Sequence, residues 1–235
     1  MTNDARWFRL LSRWSLAQVG ITLALLVVFI GAVGFDPTVS ADRAELIQAS
    51  RRPEAYRLAM IFDGLSWASI GGTLLIFGAL FSRLAPARAL FAAVCGIGMV
   101  TGLLGGTLRL NATSDLAARY AAAAPDQQAV IVNAYLVLAQ VITSHFTAGH
   151  LLQAFGYGLV ASMALAAPGF PRWIAVWLAL VAIGATVFFL LDTVGVFLFP
   201  LLILYIIFLV IALDLAMARQ FWHGPPALAA PEIRD

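Results

Sequence analysis

The stretch from His145 to Leu191 decides the fold, and it reads HFTAGHLLQAFGYGLVASMALAAPGFPRWIAVWLALVAIGATVFFLL. Two apolar segments within it are joined by a short turn, Pro168 to Arg172, with the sequence PGFPR. Each segment has about 20 residues, enough at about 1.5 Å per residue to cross the roughly 30 Å hydrocarbon core of a bilayer. The stretch therefore predicts a hairpin of two membrane helices, with further membrane helices packed around it.

The composition supports a membrane protein and excludes several kinds of chemistry. Hydrophobic residues make up 62% of the 235 residues and charged residues only 11%, with a mean hydropathy of +0.94. A soluble domain carries about 25% charged residues. The chain has no lysine and a single cysteine, Cys95, which excludes a P-loop, a lysine Schiff base, a CxxC motif and a c-type haem site. We predict no cofactor and no metal. The net charge of +2, without a basic patch, predicts no nucleic-acid partner.

Apolar runs along the chain predict an all-α fold. We expect a polytopic membrane helix bundle with six transmembrane helices and short interfacial helices on the outer side. The predicted spans are residues 15–34, 58–81, 89–108, 147–167, 172–191 and 194–216. They form one membrane domain, 15–216, between a cytoplasmic N-terminus, 1–14, and a cytoplasmic tail, 217–235, which we predict to be disordered.

The segment from Pro125 to Ala167 contains no residue that breaks a helix decisively. As one helix it would be about 60 Å long, roughly twice the thickness of the hydrocarbon core. We expect an extramembrane or interfacial first half, followed by the fourth span. In the alternative interpretation, residues 129–147 cross the membrane alone as a seventh span.

The arginines are distributed unevenly and predict the topology. With six spans, the N-terminus, the 82–88 loop, the 168–172 turn and the C-terminus share one side, which carries eight of the fourteen arginines. Positive charge accumulates on the cytoplasmic side, so we expect both termini in the cytoplasm and the protein in a bacterial plasma (inner) membrane. The segments 35–57 and 109–128 would then be outer loops. The first is predicted to contain a short helix, 41–50, that lies on the membrane surface or covers an external pocket.

Four ionisable residues fall at a similar depth near the predicted outer surface: Asp63, Arg109, His150 and Asp192. An unpaired charge is costly at that depth, so we expect a shared, partly hydrated cluster in which Asp63 pairs with Arg109 or His150. The cluster either fixes helix packing or forms the floor of an outward-facing pocket. The chain shows no hydrolase or metalloprotease motif, and we predict no catalytic residues.

Three glycines of the predicted third span, Gly98, Gly102 and Gly106, recur at every fourth position. This spacing places them on one helix face, where another backbone can approach closely. We expect the face to pack within the protein, or alternatively to form a homodimer.

Other polar residues of the spans are interpreted as packing residues. Asp214 is predicted near the inner interface, where we expect it to pair with Arg219 or Arg172. His145 and His150 point about 140° apart on one helix, so we do not expect them to share a metal or to hold a haem from both faces.

The chain combines six spans, a charged segment after the first span and a long fourth helix. This architecture, together with the motifs Gly156-Tyr157-Gly158 and Pro171-Arg172-Trp173, resembles the bacterial membrane proteins of the domain of unknown function 4386 family. The resemblance covers most of the chain. It implies the fold and a membrane location, and it supplies no activity and no catalytic residues.

Three functional hypotheses remain open at this point. The first is a non-catalytic membrane protein that acts through membrane lipids, a second copy of itself or another membrane protein. The second is a small transporter or channel-like protein with an outward-facing polar pocket. The third is a membrane-embedded enzyme that acts on a lipid-like substrate, although the sequence favours a non-catalytic role.

Overall fold

The computed structural model describes residues 3–33, 41–100, 102–196 and 199–222. Within these residues the protein is all-α, with ten α-helices and three π-helical segments that continue α1, α5 and α9. The α-helices are α1 (Asn3–Leu26), α2 (Ala41–Arg51), α3 (Pro53–Phe81), α4 (Pro86–Val100), α5 (Gly102–Leu108), α6 (Ser114–Ala122), α7 (Pro125–Ala166), α8 (Arg172–Thr193), α9 (Phe199–Tyr205) and α10 (Ala212–Trp222). The π-helical segments are Val27–Val33, Arg109–Thr113 and Ile206–Ile211.

Among the residues that the structure describes, six helical segments are long and apolar enough to cross a membrane. They are Ala5–Gly31, Pro53–Phe81, Pro86–Ala122, Pro125–Ala166, Arg172–Thr193 and Leu201–Trp222. The protein is therefore a polytopic membrane helix bundle with six spans, as predicted. Residues 129–147 are not a separate span, because α7 continues through them as a single helix of 42 residues.

The segment 109–128, expected as a loop, is largely helical. A π-helical turn, Arg109–Thr113, leads directly into α6, and α7 begins at Pro125. The charges of this segment suggested a loop, but its alanines favour helix strongly. Arg119 also pairs with Asp115 one turn earlier, at 3.0 Å between Nε and Oδ2. The short helix predicted at 41–50 is confirmed as α2. The end of the predicted tail, beyond Trp222, lies outside the described residues.

Two compact units make up the chain. The first unit contains Met1–Gly20, Ala68–Val100 and Thr147–Asp235, and the second unit contains Ile21–Trp67 and Thr101–Phe146. Both units combine segments that are far apart in the sequence.

The turn that joins α7 to α8 is fixed by an aromatic cluster in the first unit. Phe170 packs against Phe8, Phe81 and Phe221 with ring centroids 5.6–6.3 Å apart, and Phe8 packs against Phe221 at 4.8 Å. Gly169 precedes Phe170 with a φ of 81°, a conformation that a Cβ would disfavour. The glycine thus allows the chain to reverse while Phe170 points into the first unit.

Small residues bring the backbones of α3 and α4 together in the first unit. A Cβ placed on Gly71 would lie 2.5 Å from the carbonyl oxygen of Gly96, and one placed on Gly96 would lie 2.6 Å from that of Gly71. Two turns further along α3, a Cβ on Gly78 would lie 2.9 Å from the carbonyl oxygen of Ala89. Such close approach is typical of helix packing in membranes, where small residues line the interface.

The predicted glycine face on the third span has two different neighbours. In the first unit, a Cβ on Gly98 would meet the end of the Leu152 side chain at 2.8 Å. In the second unit, a Cβ on Gly106 would meet the backbone of Gly64 at 3.1 Å. The surroundings of Gly102 lie outside what the structure describes.

The second unit has a core built around α2. Its buried members are Leu46, Ala49, Tyr56, Ala59, Met60, Ala117, Val132 and Tyr135. The short helix α2 thus contributes Leu46 and Ala49 to the core of the second unit. Their burial positions the neighbouring Glu45.

Candidate functional site

Arg109 lies at the centre of a buried ionic network in the second unit. It begins the π-helical turn after α5 and is only 9% exposed. Its Nε donates to Glu45 Oε1 at 2.9 Å, and one terminal nitrogen donates to Asp63 Oδ2 at 3.0 Å. The guanidinium also lies over the ring of Phe146, at 5.1 Å from the centroid, in a cation–π contact.

Glu45, which was not among the predicted site residues, has two further partners in this network. The hydroxyl of Tyr56 donates to its Oε1 at 2.5 Å, and the hydroxyl of Tyr135 donates to its Oε2 at 3.1 Å. Burial alone would raise the pKa of Glu45, but the charge of Arg109 and hydrogen bonds from Tyr56, Arg109 and Tyr135 together outweigh it. The pKa of Glu45 is therefore lowered, and the carboxylate is ionised at neutral pH.

The sequence analysis missed Glu45 because it counted the charges of α2 as those of a solvated segment. A signal was present in the spacing. Leu46 and Ala49 are three positions apart, as on one face of a helix. Glu45 comes one position before Leu46 and four positions before Ala49, so it lies at the edge of the same face. That spacing shows which face of α2 is buried, but it does not identify the cation that Glu45 meets.

His150 and Asp192 form a separate pair in the first unit. His150 Nδ1 lies 2.7 Å from Asp192 Oδ2, and both side chains are 8% exposed. The ring of Phe188 packs on the imidazole, with centroids 5.6 Å apart. Asp192 stands in the last turn of α8, so the pair joins the end of α8 to the middle of α7.

The four predicted residues thus fall into two pairs, and each pair lies within one unit. Asp63 and Arg109 belong to the second unit, whereas His150 and Asp192 belong to the first. Of the two partners expected for Asp63, the structure places Arg109 in contact with it.

Asp214 differs from the expectation. It is 2% exposed on α10, and within the described part of the chain its Oδ2 has no hydrogen-bonding partner and no arginine pairs with it. The expected pair with Arg219 or Arg172 is wrong, because five residues along a helix correspond to a rotation of about 140° and both arginines are exposed. Asp214 instead lies beside Ser15 of α1.

A set of uncharged polar side chains lies on the same side of the first unit as Asp214 and is linked to it through Tyr157. Thr73 Oγ1 donates to Gln18 Oε1 at 2.8 Å, and Tyr157 of α7 lies beside Gln18 and within electrostatic range of Asp214. All of these side chains are at most 2% exposed. The Nε2 atoms of Gln18 and Gln153 have no hydrogen-bonding partner among the described residues. Buried polar atoms of this kind are rare in folded proteins, and ordered water is a common partner for them.

One face of α7 connects this set to the His150–Asp192 pair. His150, Gln153 and Tyr157 are all buried and stand at the i, i+3 and i+7 positions, which share a helix face. The seven residues from His150 to Tyr157 cover about 10 Å. We call these side chains together the buried polar line: His150, Gln153, Tyr157, Gln18 and Asp214.

The histidines do not form part of a metal centre in the described residues, where no group of three or more His, Cys, Asp or Glu side chains could hold a metal ion. His145 lies against Gly105 in the second unit, in a space that a Cβ on Gly105 would occupy. The absence of a Cβ at position 105 therefore makes room for the imidazole.

Comparisons with known proteins give the family of the chain. Neither the curated proteins nor the solved structures give a match. The model of the family described as "Domain of unknown function (DUF4386)" matches residues 18–222, which is most of the chain and includes both ionic pairs and the buried polar line, so the protein belongs to that family.

Proposed function

We propose that the protein is a small transporter that carries protons through its first unit, with Asp214 as the group that accepts and releases them. The observation that carries the proposal is the buried carboxyl group of Asp214, which has no arginine partner among the residues that the structure describes. An ionisable residue inside a membrane bundle is costly, and such residues commonly mark ion or proton pathways. Of the three hypotheses from the sequence, this favours the second, with His150 and Asp192 retained at the entrance and Asp214 as the central carboxyl group.

The buried polar line supplies the route from one end of the bundle. A proton enters beside the His150–Asp192 pair, and Gln153, Tyr157 and Gln18 offer hydrogen-bonding atoms along the way. The Asp214 carboxylate accepts the proton and becomes a neutral carboxylic acid, and release of the same proton restores the carboxylate. The orphaned amide nitrogens of the line can then bind water or donate to a passing solute.

Aromatic side chains close the opposite end of the proposed proton route. Ser12 and Ser15 continue the buried face of α1 beyond Asp214, and Ser12 Oγ donates to the Ala218 carbonyl oxygen at 2.8 Å. The next residue on that face is Phe8, which belongs to the aromatic cluster around Phe170. Apolar constrictions gate pores by excluding water, so the cluster would keep the path closed at rest.

Proton flux into liposomes tests the proposal. The purified full chain is reconstituted with a pH-sensitive dye inside, and a membrane potential is imposed with potassium and valinomycin. We expect acidification above that of empty liposomes, and its loss in Asp214→Asn. The matched control is Asp115→Asn, which removes an exposed carboxylate and should conduct like the parent. Parent flux equal to empty liposomes, or equal flux in parent and Asp214→Asn, would overturn the proposal.

We also propose the orientation that the arginines support, with both termini in the cytoplasm of a bacterial cell. Reporter fusions after Arg88 and after Ala121 should then give opposite signals, because these positions are at opposite ends of the third span, Pro86–Ala122. The same signal at both positions would contradict this orientation.

A further inference from the structure

The exposed face of α1 begins with a cluster of positive charge. Arg6, Arg9 and Arg13 are exposed and, together with Leu10, stand at the i, i+3, i+4 and i+7 positions, so they share one side of the helix. Their side chains line a shallow groove of about 260 Å³. We name this surface the basic groove.

The same face of α1 becomes apolar immediately after Arg13. Leu16 is 46% exposed and Leu23 is 45% exposed, whereas Phe8, Leu11 and Ser12 on the other face are buried. Leu16 follows Arg13 by three positions, which corresponds to about 4.5 Å along the axis. In a spanning helix, such a change marks the boundary between lipid headgroups and the hydrocarbon core.

Trp14 fixes the rotation of α1 and therefore the direction of the arginines. Its Nε1 donates to the Ser69 carbonyl oxygen at 2.9 Å. Its indole lies against Gly72 of α3, in a space that a Cβ on Gly72 would occupy. The arginines consequently point away from the first unit, into the layer where headgroups lie.

We propose that the basic groove binds the phosphate of an anionic phospholipid in the leaflet that surrounds the start of α1. Guanidinium groups bind phosphate oxygens in a bidentate way, and basic residues at membrane ends attract anionic lipids. The acyl chains of the same lipid would lie along the exposed apolar face that begins at Leu16. This site is independent of the proton path, because none of its side chains belongs to the buried polar line.

The test measures binding of phosphatidylglycerol to the full chain in detergent micelles. Native mass spectrometry counts the lipid molecules retained, with phosphatidylcholine as the zwitterionic comparison. We expect retention of phosphatidylglycerol over phosphatidylcholine by the parent. Simultaneous change of Arg6, Arg9 and Arg13 to Gln should weaken phosphatidylglycerol binding by about fivefold for each arginine.

Two control variants separate the effect of the groove from the effect of net charge. Arg51, Arg52 and Arg57 changed to Gln remove the same charge from another part of the surface and should retain phosphatidylglycerol like the parent. Changing the three groove arginines to Lys keeps the charge and should restore most of the binding. The melting temperature of each variant without added lipid should equal that of the parent, since the groove arginines are exposed.

Three results would overturn the proposal. One is equal retention of the two lipids by the parent. Another is an unchanged phosphatidylglycerol preference in the Gln variant of the groove. The third is loss of phosphatidylglycerol from the parent when inorganic phosphate is added, which would make the groove a site for free phosphate rather than for a lipid.

Discussion

Replacing Gly71 with alanine measures how tightly α3 and α4 are packed in the first unit. A Cβ at this position would lie 2.5 Å from the carbonyl oxygen of Gly96 and 3.2 Å from Val100 Cγ2. Since Cβ atoms essentially never approach other heavy atoms closer than 3.0 Å, the helices must separate by about 0.5 Å or more. A backbone oxygen is in the way, so a change of side-chain rotamer cannot relieve the contact.

The expected cost follows from two opposing contributions. Overpacking of a close-packed interior costs about 1–3 kcal/mol. Alanine in a helix interior is more stable than glycine by about 0.5–1 kcal/mol. We therefore expect Gly71→Ala to destabilise the protein by about 1–2 kcal/mol.

The assay uses the single cysteine of the chain. Cys95 is buried on α4, next to Gly96, so a thiol-reactive fluorogenic dye reports the opening of this helix pair on heating in detergent. Gly20→Ala is the matched control, because a Cβ there would meet no described atom within 4 Å. Its melting temperature should equal or exceed that of the parent. If Gly71→Ala melts together with Gly20→Ala, the backbones are not in contact and the packing argument is wrong.

Three further predictions concern the second unit and the glycine face. Arg109→Met should lower the free energy of unfolding by about 3 kcal/mol, because it leaves two largely buried carboxylates without their cation. Unfolding followed by circular dichroism would show this, and a parent-like curve would refute the network. The lowered pKa of Glu45 means that its stabilisation is complete above the unfolded value of 4.5 and is lost as pH falls through the folded value. Acid titration of stability should therefore fall below about pH 4.5 in the parent and less steeply in Glu45→Gln, and parallel titrations would contradict this. Gly106→Leu should destabilise more than Gly98→Leu, since Gly106 faces a backbone and Gly98 faces the flexible end of a side chain; the reverse order of melting temperatures would exclude this explanation.

The sequence alone was sufficient for the architecture because a membrane span is a local property. Twenty apolar residues need a helix and lipid around them wherever they occur in the chain. The predicted span 172–191 and the observed helix Arg172–Thr193 agree at one end to the residue and at the other to two. The segment 109–128 was harder, because its charges indicate polarity whereas its alanines determine the backbone conformation.

The tertiary structure alone decided which buried polar groups meet. The sequence placed Asp63 and Arg109 at a similar depth, but depth does not give the rotation of each helix about its axis. That rotation turns Glu45 toward Arg109 in the second unit and turns Asp214 away from the exposed arginines in the first. Rotations of this kind are fixed by contacts between residues that are distant in sequence, as Gly71 on Gly96 does for α3 and α4 and Trp14 on Gly72 does for α1 and α3. A pattern within one helix cannot encode such contacts, because each depends on the surface of the neighbouring helix.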